Sequence, residues 1–126
     1  MTTLPHQHDE NTAHLLEHMP GSDDFTVLAA LFHQLGDGSR LRLFWLLCHC
    51  EECLTDLSVM MGMSSPALSH HLRQLKAAGL IVSRRSGKEV YYRAANTPTA
   101  QTLHGFMERL MAIACPTADT QSPHLD

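Results

Sequence analysis

Long apolar runs are missing from this chain. The longest, such as Val27 to Phe32, have six residues, and a membrane span needs about 20, so no membrane association is expected. Basic charge is missing from the first 24 residues, which hold five acids and no Lys or Arg, so a secretory leader is not expected either. The expected location is the cytoplasm, where thiols stay reduced and the four cysteines would not form a disulfide framework. Metal or redox chemistry is what remains open to them. Charged residues are scarce at 17% and aromatics at 6%, with a single Trp. At 126 residues there is room for one domain. With 44% apolar residues a core can form, but a chain this small buries only part of its surface and gains from dimerisation. There is no internal repeat.

What is present is unevenly placed. The formal net charge of −4 hides a basic segment. Between Ser64 and Arg93 stand Arg73, Lys76, Arg84, Arg85, Lys88 and Arg93 against one acid, Glu89, which gives +5; the other residues hold three basic and twelve acidic ones, which gives −9. Such a segment can bind a polyanion, because the local field decides contact. A solvated charged face is the plainer alternative.

The pattern of apolar residues orders the chain. Residues 1–22 read as a polar arm with one short helix, and they hold His6, His8, His14 and His18. Residues 23–116 read as the folded domain and residues 117–126 as a loose tail. Within the domain, Val27, Leu28, Leu31, Phe32 and Leu35 share a helical face that Gly36-Asp37-Gly38 ends. Ser39 suits the N-cap of a second helix carrying Leu41, Phe44, Trp45, Leu47 and Cys48. After a polar break from Cys48 to Cys53 come a helix over Leu54–Met61, ended by Gly62, and another capped by Ser64, with Leu68, Leu72 and Leu75 buried. Pro66 is tolerated in its first turn. Leu80–Arg85 and Glu89–Ala95 alternate as strands around Ser86-Gly87-Lys88, a basic hairpin. A last helix carries Leu103, Phe106, Met107, Leu110, Met111 and Ala114 and stops at Pro116.

Two short helices joined by Gly62-Met63 and followed by a basic hairpin give the order of a winged helix-turn-helix: mainly α, with one small β-hairpin. The second helix of the pair would enter the major groove. The face opposite Leu68, Leu72 and Leu75 carries Pro66, Ser69, His70, Arg73 and Gln74; Ser65, Ser69, His70 and Arg73 are the expected DNA contacts, and small polar residues early in the helix allow close approach to base edges. Arg84, Arg85 and Lys88 on the hairpin would meet phosphates or the minor groove of double-stranded DNA. His71 falls toward the buried side and is read as an ordinary flanking residue.

Three cysteines lie within six residues, Cys48-His49-Cys50-Glu51-Glu52-Cys53, and Cys115 stands alone near the end of the last helix. The spacing of Cys50 and Cys53 lets two sulfurs reach one ion across a turn. Soft thiolates select Cd, Pb, Zn, Cu(I) or As(III) over Mg or Ca. Cys48 ends an apolar helix and fits core packing as readily as ligation. Cys50 and Cys53 fall in a polar run where burial explains little. Cys115 fits either a dimer interface or a fourth ligand position. Glu51, Glu52 and Asp56 make the region negative, which favours a divalent cation over neutral arsenic species, although closely spaced thiols also suit trigonal As(III). The same acids sit where a helix dipole would hold them anyway.

These motifs resemble the ArsR/SmtB family of metal-sensing repressors. Five stretches carry the likeness, in order: Leu35 to Arg42, Glu52 to Leu57, Ser69 to Leu72, Gly79 to Ile81, and Gly87 to Tyr92. The resemblance implies a homodimer, joined through its terminal helices, that sits on operator DNA and leaves when metal binds. It implies metal ligation by Cys53, which matches the first cysteine of the family's Glu-Leu-Cys-Val-Cys-Asp motif. Thr55 stands where the second would be, so Cys50 and Cys48 would have to replace it from the other side. Gly38 replaces the family's usual Pro at a loop. The family's other site, on the last helix, falls on Asn96, Pro98, Arg109 and Ala112, none of which suits Zn, so that site reads as lost. Relatives can take ligands from the partner's N-terminal arm, but no spacing singles out one of the four histidines there. The expected function is a metal-responsive repressor with ligands Cys48, Cys50, Cys53 and Cys115, and not an enzyme: Cys50-x-x-Cys53 lacks the βαβ context of a thiol oxidoreductase. The alternatives on the same fold are a redox sensor using Cys50 and Cys53, and a repressor with a purely structural Zn.

Overall fold

The computed structural model describes residues 4–115. The expected tail at residues 117–126 lies outside them. The chain divides between Phe32 and His33 into two units. The first holds helix α1 (Glu10–His18), capped by Asp9, and most of helix α2 (Ser22–Gln34); neither helix has a buried residue. The polar arm therefore does contain one short helix.

The second unit runs through α3 (Gly38–Leu47), β1 (Glu52–Cys53), α4 (Leu54–Met61), α5 (Ser65–Ala77), β2 (Ile81–Ser86), β3 (Glu89–Ala94) and α6 (Pro98–Ala114). This is the winged helix-turn-helix order. Asp37, not Ser39, caps α3: its carboxylate accepts from the Arg40 backbone N–H at 2.9 Å. An ionised acceptor at a helix start outcompetes a hydroxyl because the dipole adds to the hydrogen bond. Helix α4 spans the expected residues and ends on Gly62, whose φ of 65° places it in the left-handed region that glycine adopts without strain.

The sheet has three strands in the order β1-β3-β2, all antiparallel. The hairpin turns through Gly87 and Lys88, with positive φ only at Gly87. Strand β1 was not expected: two residues within the polar run pair Glu52 with Tyr92 and Cys53 with Tyr91. Two residues are too few to show a period. The core packs Leu43, Phe44 and Leu47 of α3 with Leu57 of α4, Leu68, Leu72 and Leu75 of α5, Leu80 and Ile81, and Leu103 and Met107 of α6. Arg40 is the one buried charge among the described residues, and its Nε donates to the Gln34 carbonyl at 2.9 Å. The apolar side of α6 is only half used, since Phe106, Leu110, Met111 and Ile113 stay exposed. No helix among the described residues is long and apolar enough to cross a membrane.

Candidate functional site

Helix α5 is built to present one face. Ser64 caps it by accepting from the Ala67 N–H at 3.3 Å, Pro66 fits its first turn, and Leu68, Leu72 and Leu75 anchor it in the core. That leaves Ser65, His70 and Arg73 exposed and Ser69 half-buried. His71 turns inward, where Asp37 lies 3.8 Å away and burial holds its imidazole below the ordinary value.

On the wing, Arg85 and Lys88 are exposed and, with Arg73, make no ion pair among the described residues. Arg84 differs. Its Nε and Nη2 donate to both carboxylate oxygens of Glu51 at 2.9 and 2.8 Å, and its guanidinium lies over the Tyr91 ring, 5.0 Å from the centroid. Arg93 approaches the same carboxylate at 3.9 Å. The hydrogen bonds from Arg84 hold the Glu51 carboxyl below its ordinary range. A two-pronged pair of this kind fixes geometry as well as charge. It fastens the wing to the cysteine loop.

The four thiols do not converge. Cys48 caps the C-terminus of α3 and is half-buried; burial, then the Glu108 charge, pushes its thiol from an ordinary 9.0 up to about 12. Cys50 donates from Sγ to the Leu46 carbonyl at 3.4 Å, and burial followed by the charge of Glu52 pushes its thiol up as well. Cys53 stands at the N-cap position of α4 without a side-chain capping bond, and its Sγ donates to Asp56 Oδ2 at 3.5 Å. Cys115, at the end of α6, is exposed. Among the described residues, no cysteine joins two further thiol, imidazole or carboxylate groups with ligand atoms within 4.8 Å of one another. The premise that burial explains little at Cys53 is corrected: it is 5% exposed, because β1 carries it into the core. Cys48 and Cys50 instead line a cleft of about 380 Å³, together with Glu51, Arg93, Gln101 and His104.

Thiol reactivity follows from this placement. A thiolate is the nucleophile, and access limits it further. Timed alkylation of the reduced protein at pH 8, read by peptide mass spectrometry, is expected to mark Cys115 first and Cys48 and Cys53 last. Faster labelling of Cys48 than of Cys115 would contradict the burial described.

One cluster was missed in the sequence. His49 follows the α3 cap, while His104 and Glu108 stand one turn apart on α6. His104 Nε2 lies 3.1 Å from His49 Nε2 and 3.3 Å from Glu108 Oε2, and His49 Nε2 lies 3.8 Å from the same oxygen. Trp45 Nε1 donates to that oxygen at 2.7 Å, which first, ahead of the neighbouring imidazoles, holds the Glu108 carboxyl below its ordinary range. The sequence signal was His104-x-x-x-Glu108 on one helix face.

Comparison with known proteins places this architecture. Residues 37–83 match the sequence profile described as bacterial regulatory protein, arsR family. The chain is 37% identical over 92 residues to the transcriptional repressor SmtB homolog of Synechocystis, covering 73% of this chain and 70% of that one. The chain belongs to the ArsR/SmtB family. It is a DNA-binding transcriptional regulator with a winged helix-turn-helix and not an enzyme. It is also 39% identical over 70 residues to the arsenical resistance operon repressor of Escherichia coli, covering 55% of this chain and 60% of that one. It is 36% identical over 70 residues to the cadmium resistance regulator CadC of Listeria innocua, covering 55% and 59%. Against both of these it spans less than two thirds of the relative's length. Among solved structures, the homodimeric winged helix-turn-helix domain from Mycobacterium bovis matches with a TM-score of 0.62 and 26% identity over 83% of this chain and 88% of that one. The transcriptional repressor BigR from Xylella fastidiosa matches with a TM-score of 0.60 and 27% identity over 75% and 90%.

Proposed function

We propose that this ArsR/SmtB protein is a metal-responsive repressor. It binds operator DNA as a homodimer and leaves it when a soft thiophilic ion, Cd, Pb, Zn or As(III), is taken by cysteines. The ligands are drawn from Cys48, Cys50, Cys53 and Cys115, and the DNA contacts are Ser65, Ser69, His70, Arg73, Arg84, Arg85 and Lys88. Relatives named for arsenical and for cadmium resistance support this range of effectors. The dimer is supported by the apolar side chains that α2 and α6 leave exposed, Phe25, Val27, Leu28 and Phe32 on one and Phe106, Leu110, Met111 and Ile113 on the other. Such a regulator works where the operator is, in the cytoplasm. Residues 1–22 act as an arm, residues 23–116 as the DNA-binding and dimerisation domain, and residues 117–126 as a tail.

The observation that carries this reading is the double tie between the cysteine loop and the wing. Cys53 and Glu52 pair with β3 through the backbone, and Glu51 holds Arg84 through two hydrogen bonds. No three of the thiols lie within 4.8 Å of one another among the described residues, so gathering three of them on one ion requires the loop between α3 and α4 to move. The loop cannot move without disturbing the β1–β3 pairing or the Glu51–Arg84 pair. Either change alters how the wing is presented beside α5. Couplings of this kind are worth about 1–3 kcal/mol, or roughly 5–150-fold in DNA affinity. The redox alternative is weakened because burial, then the charge of Glu52, pushes the Cys50 thiol up, whereas redox-sensing cysteines are low-pKa and exposed.

An anaerobic Cd(II) titration of the reduced protein tests the ligand set. A saturating thiolate-to-metal absorption band at one ion per chain is expected, abolished by Cys53→Ser. Weakening by Cys115→Ser would place the end of α6 in the site. A band indifferent to Cys53 would remove this reading.

A further inference from the structure

We propose that His49, His104 and Glu108 form a second metal site, separate from the cysteines, that takes a borderline divalent cation of the Zn(II) class. The three ligand atoms converge: the separations are 3.1 Å between the two imidazole Nε2 atoms, 3.3 Å from His104 Nε2 to Glu108 Oε2, and 3.8 Å from His49 Nε2 to that oxygen. A tetrahedral zinc ion with bonds near 2.0–2.1 Å sets its ligands about 3.3 Å apart, so the triangle is already close to the edge length of the coordination sphere. Two imidazoles and a carboxylate are a donor set for Zn, Co or Ni rather than for Mg or Ca. Three protein ligands leave the fourth position open.

The hydrogen-bond arithmetic points the same way. Two Nε2 atoms at 3.1 Å cannot both carry a proton directed at the other, so at least one lone pair faces the cluster. A proton shared between the rings satisfies that pair, and a cation can stand in its place while also engaging the carboxylate. The surroundings fix the ligands. His104 and Glu108 are one turn apart on α6, and Trp45 Nε1 donates to the Glu108 carboxylate at 2.7 Å, as outer partners of metal ligands commonly do. The Trp45 ring also lies tilted against His49, with centroids 4.3 Å apart, so the single tryptophan of the chain reports on two of the three ligands. The cluster joins the end of α3 to α6; His49 stands between Cys48 and Cys50, but none of the thiols is among the three ligands.

The test is a titration of the full chain with Zn(II) and with Co(II), using a variant in which all four cysteines are serine. The expected result is one ion per chain, a change in Trp45 fluorescence, and a Co(II) spectrum with no sulfur-to-metal charge-transfer band. His104→Gln in that background is expected to weaken binding at least about 100-fold, since outer partners alone are worth 10–100-fold. Absence of binding in the cysteine-free chain, or binding that survives His104→Gln, as it would if the histidines of the arm held the ion, overturns the site. If the serine variant does not fold by circular dichroism, the imidazole ¹⁵N signals of the native chain decide. Zn(II) is expected to shift the Nε2 resonances of His49 and His104 together with the Trp45 indole, and unshifted rings at saturating Zn(II) overturn the proposal. Loss of the cadmium thiolate band would leave this site standing, so the two failures are distinguishable.

Discussion

Phe44→Ala is expected to lower the stability of the second unit by about 3–5 kcal/mol. Phe44 is 0% exposed, and its helix α3 packs against both α5 and β3. Removing the ring leaves a void that helices anchored at Leu57 and Leu68 can fill only in part. Domains of this size are stable by about 5–15 kcal/mol in total, so the change uses up much of the margin. Phe106→Ala is the contrast. Phe106 is 46% exposed on α6, so its loss should scarcely move the denaturation midpoint of the protomer and should weaken self-association instead. Urea unfolding and sedimentation of both variants separate the two effects. A Phe44→Ala midpoint equivalent to less than about 1 kcal/mol would contradict the packing described.

The second large effect is on DNA. Arg73→Ala is expected to lower operator affinity about 5–150-fold, from the 1–3 kcal/mol that one good contact to a base edge supplies. Arg73 is exposed on the outward face of α5 and makes no ion pair among the described residues, so no described carboxylate competes for its guanidinium. Lys88→Ala should weaken binding to all sequences alike and reduce the salt slope by about 1, as loss of a phosphate contact does. Arg84→Ala should lower affinity less than Arg73→Ala, because Glu51 already holds its guanidinium. Arg109, exposed on α6, serves as the control. Fluorescence anisotropy with a labelled operator over a range of salt concentrations measures all four. Equal losses for Arg73→Ala and Arg109→Ala would show that α5 does not read DNA.

Much of this fold could be read from the sequence because local and global signals agree. Leu54–Met61 lies between a polar run and Gly62, and it is found as that helix. Ser64 and Pro66 announce the start of α5, and the spacing of Leu68, Leu72 and Leu75 gives its buried face. Gly87 marks the hairpin. Where two local signals competed, the sequence misled: Ser39 and Asp37 both suit an N-cap, and only the ionised acceptor takes the role. Strand β1 and the burial of Cys53 were hidden because a two-residue strand gains its meaning only from β3, almost forty residues later. The relations most relevant to function are also tertiary. Glu51 meets Arg84 across 33 residues, and His49 meets His104 across 55. Each of these residues reads alone as an ordinary charged or polar side chain. Only the packing of the loop against the wing, and of α3 against α6, brings them together.

The claim that metal on the cysteines drives the wing off DNA is tested most directly by adding Cd(II), anaerobically, to reduced protein bound to its operator. Anisotropy would be followed for the native chain, for Cys53→Ser and for Glu51→Gln. The account predicts that Cd(II) weakens binding of the native chain by roughly 5–150-fold. It predicts that Cys53→Ser keeps its DNA affinity and no longer responds, and that Glu51→Gln still takes up Cd(II) but with a smaller change in affinity. Release of Cys53→Ser at the same Cd(II) concentration as the native protein would contradict it.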